Sequence, residues 1–130
     1  MRRVKKLAGK NEYEFMRIAI IGSRELGGDE ECCYEKICGS VPRNCTEIVS
    51  GGAAGIDTLA EKYARENALL FKKFEPEYHK YGKSAPFMRN AQIIEYANLV
   101  LVFWDGKSRG TAQAVKMCCE NNKLIEIFLI

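Results

Sequence analysis

The sequence predicts an α/β fold, with a doubly wound, mostly parallel sheet of about five strands and helices on both faces. Three observations lead there. Apolar runs of strand length alternate with stretches whose apolar residues recur at helical spacing. The connections between them are short. Three connections that follow strands are rich in glycine, serine and threonine. Strands that alternate with helices pair in parallel, because each crossover helix returns the chain to the starting edge.

Residues 1–16 show no period and read as a basic tail; residues 17–130 read as the folded domain. Met16 to Ser23 is the first strand, and its continuous run Ile18-Ala19-Ile20-Ile21 suits a strand covered on both faces. Asp29 to Gly39 is a helix, capped by Asp29, with Glu30 and Glu31 in its first turn and Gly39 at its end. Cys33, Tyr34, Ile37 and Cys38 form its apolar stripe. Thr46 to Ser50 is the second strand. Gly55 to Asn67 is the clearest helix, with Ile56, Leu59, Ala60, Tyr63 and Ala64 on one face. Ala68 to Phe74 is the third strand, and a polar, aromatic loop over Glu77 to Lys83 follows. Ser84 to Tyr96 is a helix with Pro86 in its first turn. Leu99 to Trp104 is the fourth strand, Thr111 to Asn121 a helix and Leu124 to Leu129 the fifth strand.

A chain of 130 residues suits one domain with its own core. Its 47% hydrophobic and 28% charged composition is that of a globular protein. The longest apolar run, Leu99 to Trp104, is far short of a membrane span, and no apolar signal core follows the basic N-terminus. A cytoplasmic location without membrane contact is expected. The net charge of +3 is uneven: residues 1–17 carry six basic and two acidic side chains, the remainder 14 and 15. A nearly neutral body argues against a general nucleic-acid binder. None of the six cysteines forms a C-x-x-C pair, so small, reduced, mostly buried thiols on helices are expected, with no metal site and no cofactor.

Parallel topology places the ends of the first, second and fourth strands around one crevice. Gly22-Ser23-Arg24 brings a hydroxyl, backbone N–H groups and a guanidinium there. Ser50-Gly51-Gly52-Ala53 brings a hydroxyl and an N–H concavity at the start of a helix, where anions bind. Asp105 begins the third turn, and Ser108, Gly110 and Thr111 repeat the small-residue pattern before the last helix. Arg89 and Asn90 open onto the same region, Arg89 as a bidentate phosphate partner or as a solvated helix arginine. Asp57 contacts a ribose or a loop N–H, or acts as a helix cap. His79 suits acid–base work or a structural hydrogen bond, and Tyr78, Tyr81 and Trp104 suit base stacking or packing. Neither G-x-G-x-x-G after the first strand nor a Walker A sequence is present, which excludes the usual dinucleotide and ATPase readings. A phosphate-bearing nucleotide remains as the expected ligand, and no catalytic residue is assigned.

Ile21-Gly22-Ser23-Arg24, Ser50-Gly51-Gly52-Ala53-Ala54-Gly55-Ile56-Asp57, Tyr81-Gly82-Lys83-Ser84-Ala85 with Arg89-Asn90, and Phe103 to Thr111 occur in this order. Together they resemble the YspA-like, GSR-motif family of the SLOG superfamily, from Arg17 onward. The resemblance implies a Rossmann-like fold, a nucleotide or nucleotide-derived ligand, a signalling or sensing role and a homodimer. Pro86 stands where the family pattern has glycine. Phosphoribohydrolases of the LOG type share the scaffold, which offers nucleoside 5′-monophosphate N-glycosidase activity as an alternative. Arg89 matches their arginine approximately, but their glutamate position falls on Ala114. The Rossmann-like domain of DNA-processing protein A carries a similar Ser-Gly-x-Ala-x-Gly-Ile-Asp turn and binds single-stranded DNA. A local patch of Arg24, Lys83, Arg89 and Arg109 would serve a short strand here.

Overall fold

A computed structural model of the chain describes residues 16–130. The expected basic tail thus lies, apart from Met16, outside the described residues. The strands are β1 (Arg17–Gly22), β2 (Glu47–Ser50), β3 (Leu70–Lys73), β4 (Leu99–Trp104) and β5 (Ile125–Leu129). The helices are α1 (Glu30–Ser40), α2 (Ile56–Glu66), α3 (Tyr78–Tyr81), α4 (Ala85–Tyr96) and α5 (Arg109–Glu120). The strands form one sheet in the order β3-β2-β1-β4-β5, and every neighbouring pair is parallel. The expected Rossmann-like α/β architecture is the one observed.

Alternation along the strands divides the core. Ile18, Ile20, Ile48, Leu101 and Phe103 pack with Cys33 and Ile37 of α1 and with Ile56, Leu59, Ala60 and Ala64 of α2. Ala19, Ile21, Val49, Val100 and Val102 pack on the other face with Ile93 and Ile94 of α4 and with Ala114, Met117 and Cys118 of α5. Successive residues of one strand thus serve opposite layers, and both layers are apolar. Phe103 also stacks on Phe128, with ring centroids 4.9 Å apart, which ties β5 to the central layer. The chain runs outward from β1 through β2 to β3, then returns to place β4 on the other side of β1. That reversal opens a crevice between the carboxyl ends of β1 and β4.

Several boundaries differ from expectation for local reasons. Ala68 does not begin β3; it takes φ 54°, and the next N–H, on Leu69, bonds back to the Ala64 carbonyl at 2.9 Å. Residue 68 therefore ends α2 in a left-handed step. The expected loop over Glu77–Lys83 contains α3, followed by a 3-10 turn over Gly82–Ser84 that leads into α4. Gly39 lies inside α1, which runs on to Ser40, and Cys38 faces solvent while Cys33 and Ile37 are buried. Three cysteines are exposed, Cys32, Cys38 and Cys119, and buried Cys45 precedes β2 in a loop. Among the described residues, no three His, Cys, Asp or Glu side chains are grouped to hold a metal ion. None of the described helices is long and apolar enough to cross a membrane.

Candidate functional site

The crevice is assembled around Gly22. It pairs with Phe103 across the β1–β4 ladder. A side chain there would run into the Phe103 carbonyl oxygen and come within 2.9 Å of Ile56 Cγ1. Ser23 continues this close packing. Its N–H donates to the Phe103 carbonyl (3.0 Å), its carbonyl accepts from the Ile56 N–H (3.2 Å), and its Oγ accepts from the Asp105 N–H (3.0 Å). One buried serine thereby joins the end of β1, the start of α2 and the end of β4. Arg24 follows, exposed at the rim.

The glycine-rich turn is occupied from within. The Ala53 N–H donates to Oδ2 of Asp57 at 3.1 Å. Asp57 is 6% exposed. Burial raises its pKa, opposed by the Ala53 N–H, the charge of Arg89 and the Gly51 N–H. The anion of this N–H concavity is therefore the protein's own carboxylate. Ser50 is fully buried and its hydroxyl donates to the Ile20 carbonyl at 2.7 Å. Gly51 is buried, and its carbonyl accepts from Nη1 of Arg89 at 2.8 Å. A Cβ on Gly51 would lie 2.9 Å from the Arg89 guanidinium carbon and 3.0 Å from Asp57 Oδ2, so any side chain there displaces the Arg89 guanidinium from the Gly51 carbonyl. Gly52 adopts φ 77° and turns toward Lys73.

Arg89 projects from α4 and is 9% exposed. Its Nε donates to Oδ1 of Asn90 at 2.8 Å. Burial pushes its pKa down, opposed chiefly by the charge of Asp57, while Arg24 pushes it further down. Among the described residues, the one ion pair within 4.0 Å is Lys73–Glu75. A buried guanidinium without a close carboxylate is costly unless its remaining donors find acceptors.

The third turn is shaped by its own side chains. Asp105 Oδ1 accepts the N–H groups of Lys107 and Ser108, both at 2.8 Å, and these bonds hold its carboxyl below the usual range. Ser108 caps α5; its Oγ accepts from the Thr111 N–H (3.3 Å) and from the Thr111 hydroxyl (3.1 Å). Trp104 closes the turn by donating from Nε1 to the Ser108 carbonyl. The next donors at the start of this twelve-residue helix, the N–H groups of Arg109 and Gly110, have no partner among the described residues.

A cavity of about 560 Å³ lies where these pieces meet. Of the residues expected at a binding site, Gly22, Arg24, Ala53, Asp57, Arg89, Asn90, Asp105, Ser108, Gly110 and Thr111 line it. Ser23, Ser50, Gly51 and Gly52 do not: the first three are buried behind its wall and Gly52 faces Lys73. Tyr78, His79, Tyr81 and Trp104 also lie off it. Glu25, Phe87, Ile93, Lys107 and Gln113 line it without having been singled out. Helical spacing held the signal for two of them. Ile93 lies four residues after Arg89, and Gln113 three after Gly110.

Among curated proteins nothing matches this chain. Two solved structures share its fold. DNA processing protein A from Streptococcus pneumoniae superposes with a TM-score of 0.71 at 21% identity, over 88% of this chain and 50% of that one. DNA processing protein A from Helicobacter pylori, described for its single-stranded DNA binding mode, superposes with a TM-score of 0.66 at 20% identity, over 88% and 66%. The chain thus spans between half and two-thirds of the length of these proteins. The sequence pattern of the DNA recombination-mediator protein A family matches residues 7–71, half of the chain. Those residues include β1, the glycine-rich turn and α2, and the chain belongs to the DNA recombination-mediator protein A family.

Proposed function

We propose that the crevice binds a phosphorylated nucleotide or a nucleotide-derived ligand, such as a nucleoside phosphate or an ADP-ribose-like compound. Arg89 carries the reading: a buried guanidinium lines the cavity, has no carboxylate within 4.0 Å, and lies close enough to Arg24 for their charges to interact. Two guanidinium groups and the open N-terminus of α5 call for an anion between them. The volume suits a ligand of nucleotide size. Asp57 supports this wall by filling the glycine-rich turn. Within the family we read the chain as YspA-like on its Gly22-Ser23-Arg24 motif. Residues 17–130 are the nucleotide-binding domain in this reading, and two copies form the working unit.

A thermal-shift panel of nucleoside 5′-phosphates and ADP-ribose tests it. A ligand at a hundred times its Kd stabilises by about 2.7 kcal/mol. Arg24→Ala should abolish the shift and leave the unliganded melting point in place, because the Arg24 side chain is exposed and makes no hydrogen bond among the described residues. If no compound on the panel raises the melting point, the reading fails.

A second reading, single-stranded DNA binding, rests on the family membership and on the fold shared with the Helicobacter protein. Arg24, Arg89 and Lys107 line the cavity, and Lys83 and Arg109, which do not line it, are exposed just before α4 and at the start of α5. N-glycosidic hydrolysis has less support. Ala114 lines the cavity where LOG-type enzymes have a glutamate, and its methyl group can neither move a proton nor stabilise a developing cation.

A further inference from the structure

Three carboxylates line the cavity with Arg24, Arg89 and Lys107: Glu25, Asp57 and Asp105. Two are already engaged. Asp57 accepts the Ala53 N–H, and Asp105 accepts the N–H groups of Lys107 and Ser108. The Glu25 carboxylate accepts none of the hydrogen bonds made among the described residues, and it is exposed at the rim beside Arg24. A site selected for a phosphate alone gains nothing from a free carboxylate at its edge, since like charges repel. A free carboxylate suits a ligand that brings hydrogen-bond donors as well as an anion.

The position narrows which donors those are. Glu25 is the residue after Arg24, and successive Cα atoms lie about 3.8 Å apart. A phosphate held by Arg24 therefore leaves Glu25 opposite the part of the ligand nearest that phosphate. In a 5′-nucleotide that part is the sugar, whose vicinal 2′- and 3′-hydroxyls are a matched donor pair for the two carboxylate oxygens. The base lies further out, and the apolar lining, Ile21, Phe87, Ile93 and Ala114, suits its faces. Resting on the nucleotide reading above, we propose that Glu25 accepts the 2′,3′-diol and makes the crevice selective for ribonucleotides over deoxyribonucleotides.

Calorimetric titration of the full chain with AMP and dAMP, GMP and dGMP, and CMP and dCMP, in EDTA to remove bridging cations, tests this. At least one ribonucleotide should bind about tenfold or more tightly than its 2′-deoxy counterpart, as expected for one hydrogen bond to a charged group. Glu25→Ala should erase the preference by weakening the ribonucleotide while the deoxynucleotide holds or tightens. A merely structural role would weaken both alike. Glu25→Gln, which keeps the shape and loses the charge, should lose most of the preference. Equal binding within every pair overturns the selectivity and leaves the nucleotide reading standing. A preference that survives Glu25→Ala overturns the assignment to Glu25. No binding of any member overturns the selectivity, and the nucleotide reading falls with it when ADP-ribose also fails to bind.

Discussion

Asp57 sits where an outside anion was expected, and it changes what the glycine-rich turn is for. Small residues that let N–H groups converge look alike in sequence whether they receive a ligand phosphate or a side chain four positions on. The sequence therefore showed the concavity but not its occupant. The occupant has a measurable signature. Burial raises the Asp57 pKa above the ordinary value of 3.8, despite the opposing N–H groups and the charge of Arg89. Between that value and the raised native one, the folded state holds a proton that the unfolded state has released. Stability contributed by this group is thus greatest at acid pH and falls as pH rises through the window. Asp57→Asn keeps an acceptor for the Ala53 N–H and removes the titration. In denaturation series at pH 3 and pH 7, the stability of the asparagine variant relative to the parent should improve toward pH 7. Each unit of displacement is worth about 1.4 kcal/mol. A parent that gains on the variant as pH rises would show that the Arg89 field outweighs burial.

At the scale of elements, periodicity showed what it physically encodes. The four long helices repeat their apolar residues over several turns, and the two central strands, β1 and β4, carry continuous apolar runs, so both were legible. Four-residue α3 is too short to show a period, and the left-handed end of α2 at Ala68 depends on a hydrogen bond no pattern announces. Glycines were legible as turn residues, but their separate reasons were not. Gly22 is in a strand and excludes a side chain by contact with β4 and α2, whereas Gly39 is inside α1 with nothing within 4 Å of an added Cβ. The two should respond oppositely to alanine. Gly22→Ala forces the β1–β4 ladder or α2 to move and should cost about 1–3 kcal/mol, with loss of ligand binding as the crevice deforms. Gly39→Ala should stabilise by up to about 1 kcal/mol through helix propensity. Urea unfolding of both variants checks the pair; a harmless Gly22→Ala would mean that the packing at the crevice floor is looser than its contacts imply.

For the whole molecule, the decisive property is how charge is distributed. The sum of +3 conceals a basic segment over residues 1–17 and a remainder with 14 basic and 15 acidic side chains. Two modes of strand binding would follow from this, and salt separates them. If a short single strand lies across the crevice rim alone, Arg24, Lys83, Arg89 and Arg109 supply up to four phosphate contacts. With about 0.7 counterions released per contact on a single strand, log K should fall against log salt with a slope of about −2 to −3. If the basic tail joins them, the five cations of residues 1–16 are available as well, since Arg17 is held at the start of β1 against Tyr96, and the slope should steepen well beyond −4. Lys83→Ala combined with Arg109→Ala should make the slope shallower by about 1.4 when the rim carries the strand, and should leave it unchanged when the rim does not. Fluorescence anisotropy of a labelled oligonucleotide between about 20 and 200 mM salt reads both quantities. Absence of binding even at the low end would remove the strand reading while leaving the nucleotide crevice intact, because that site depends on a buried arginine and a helix terminus rather than on the net charge of the body.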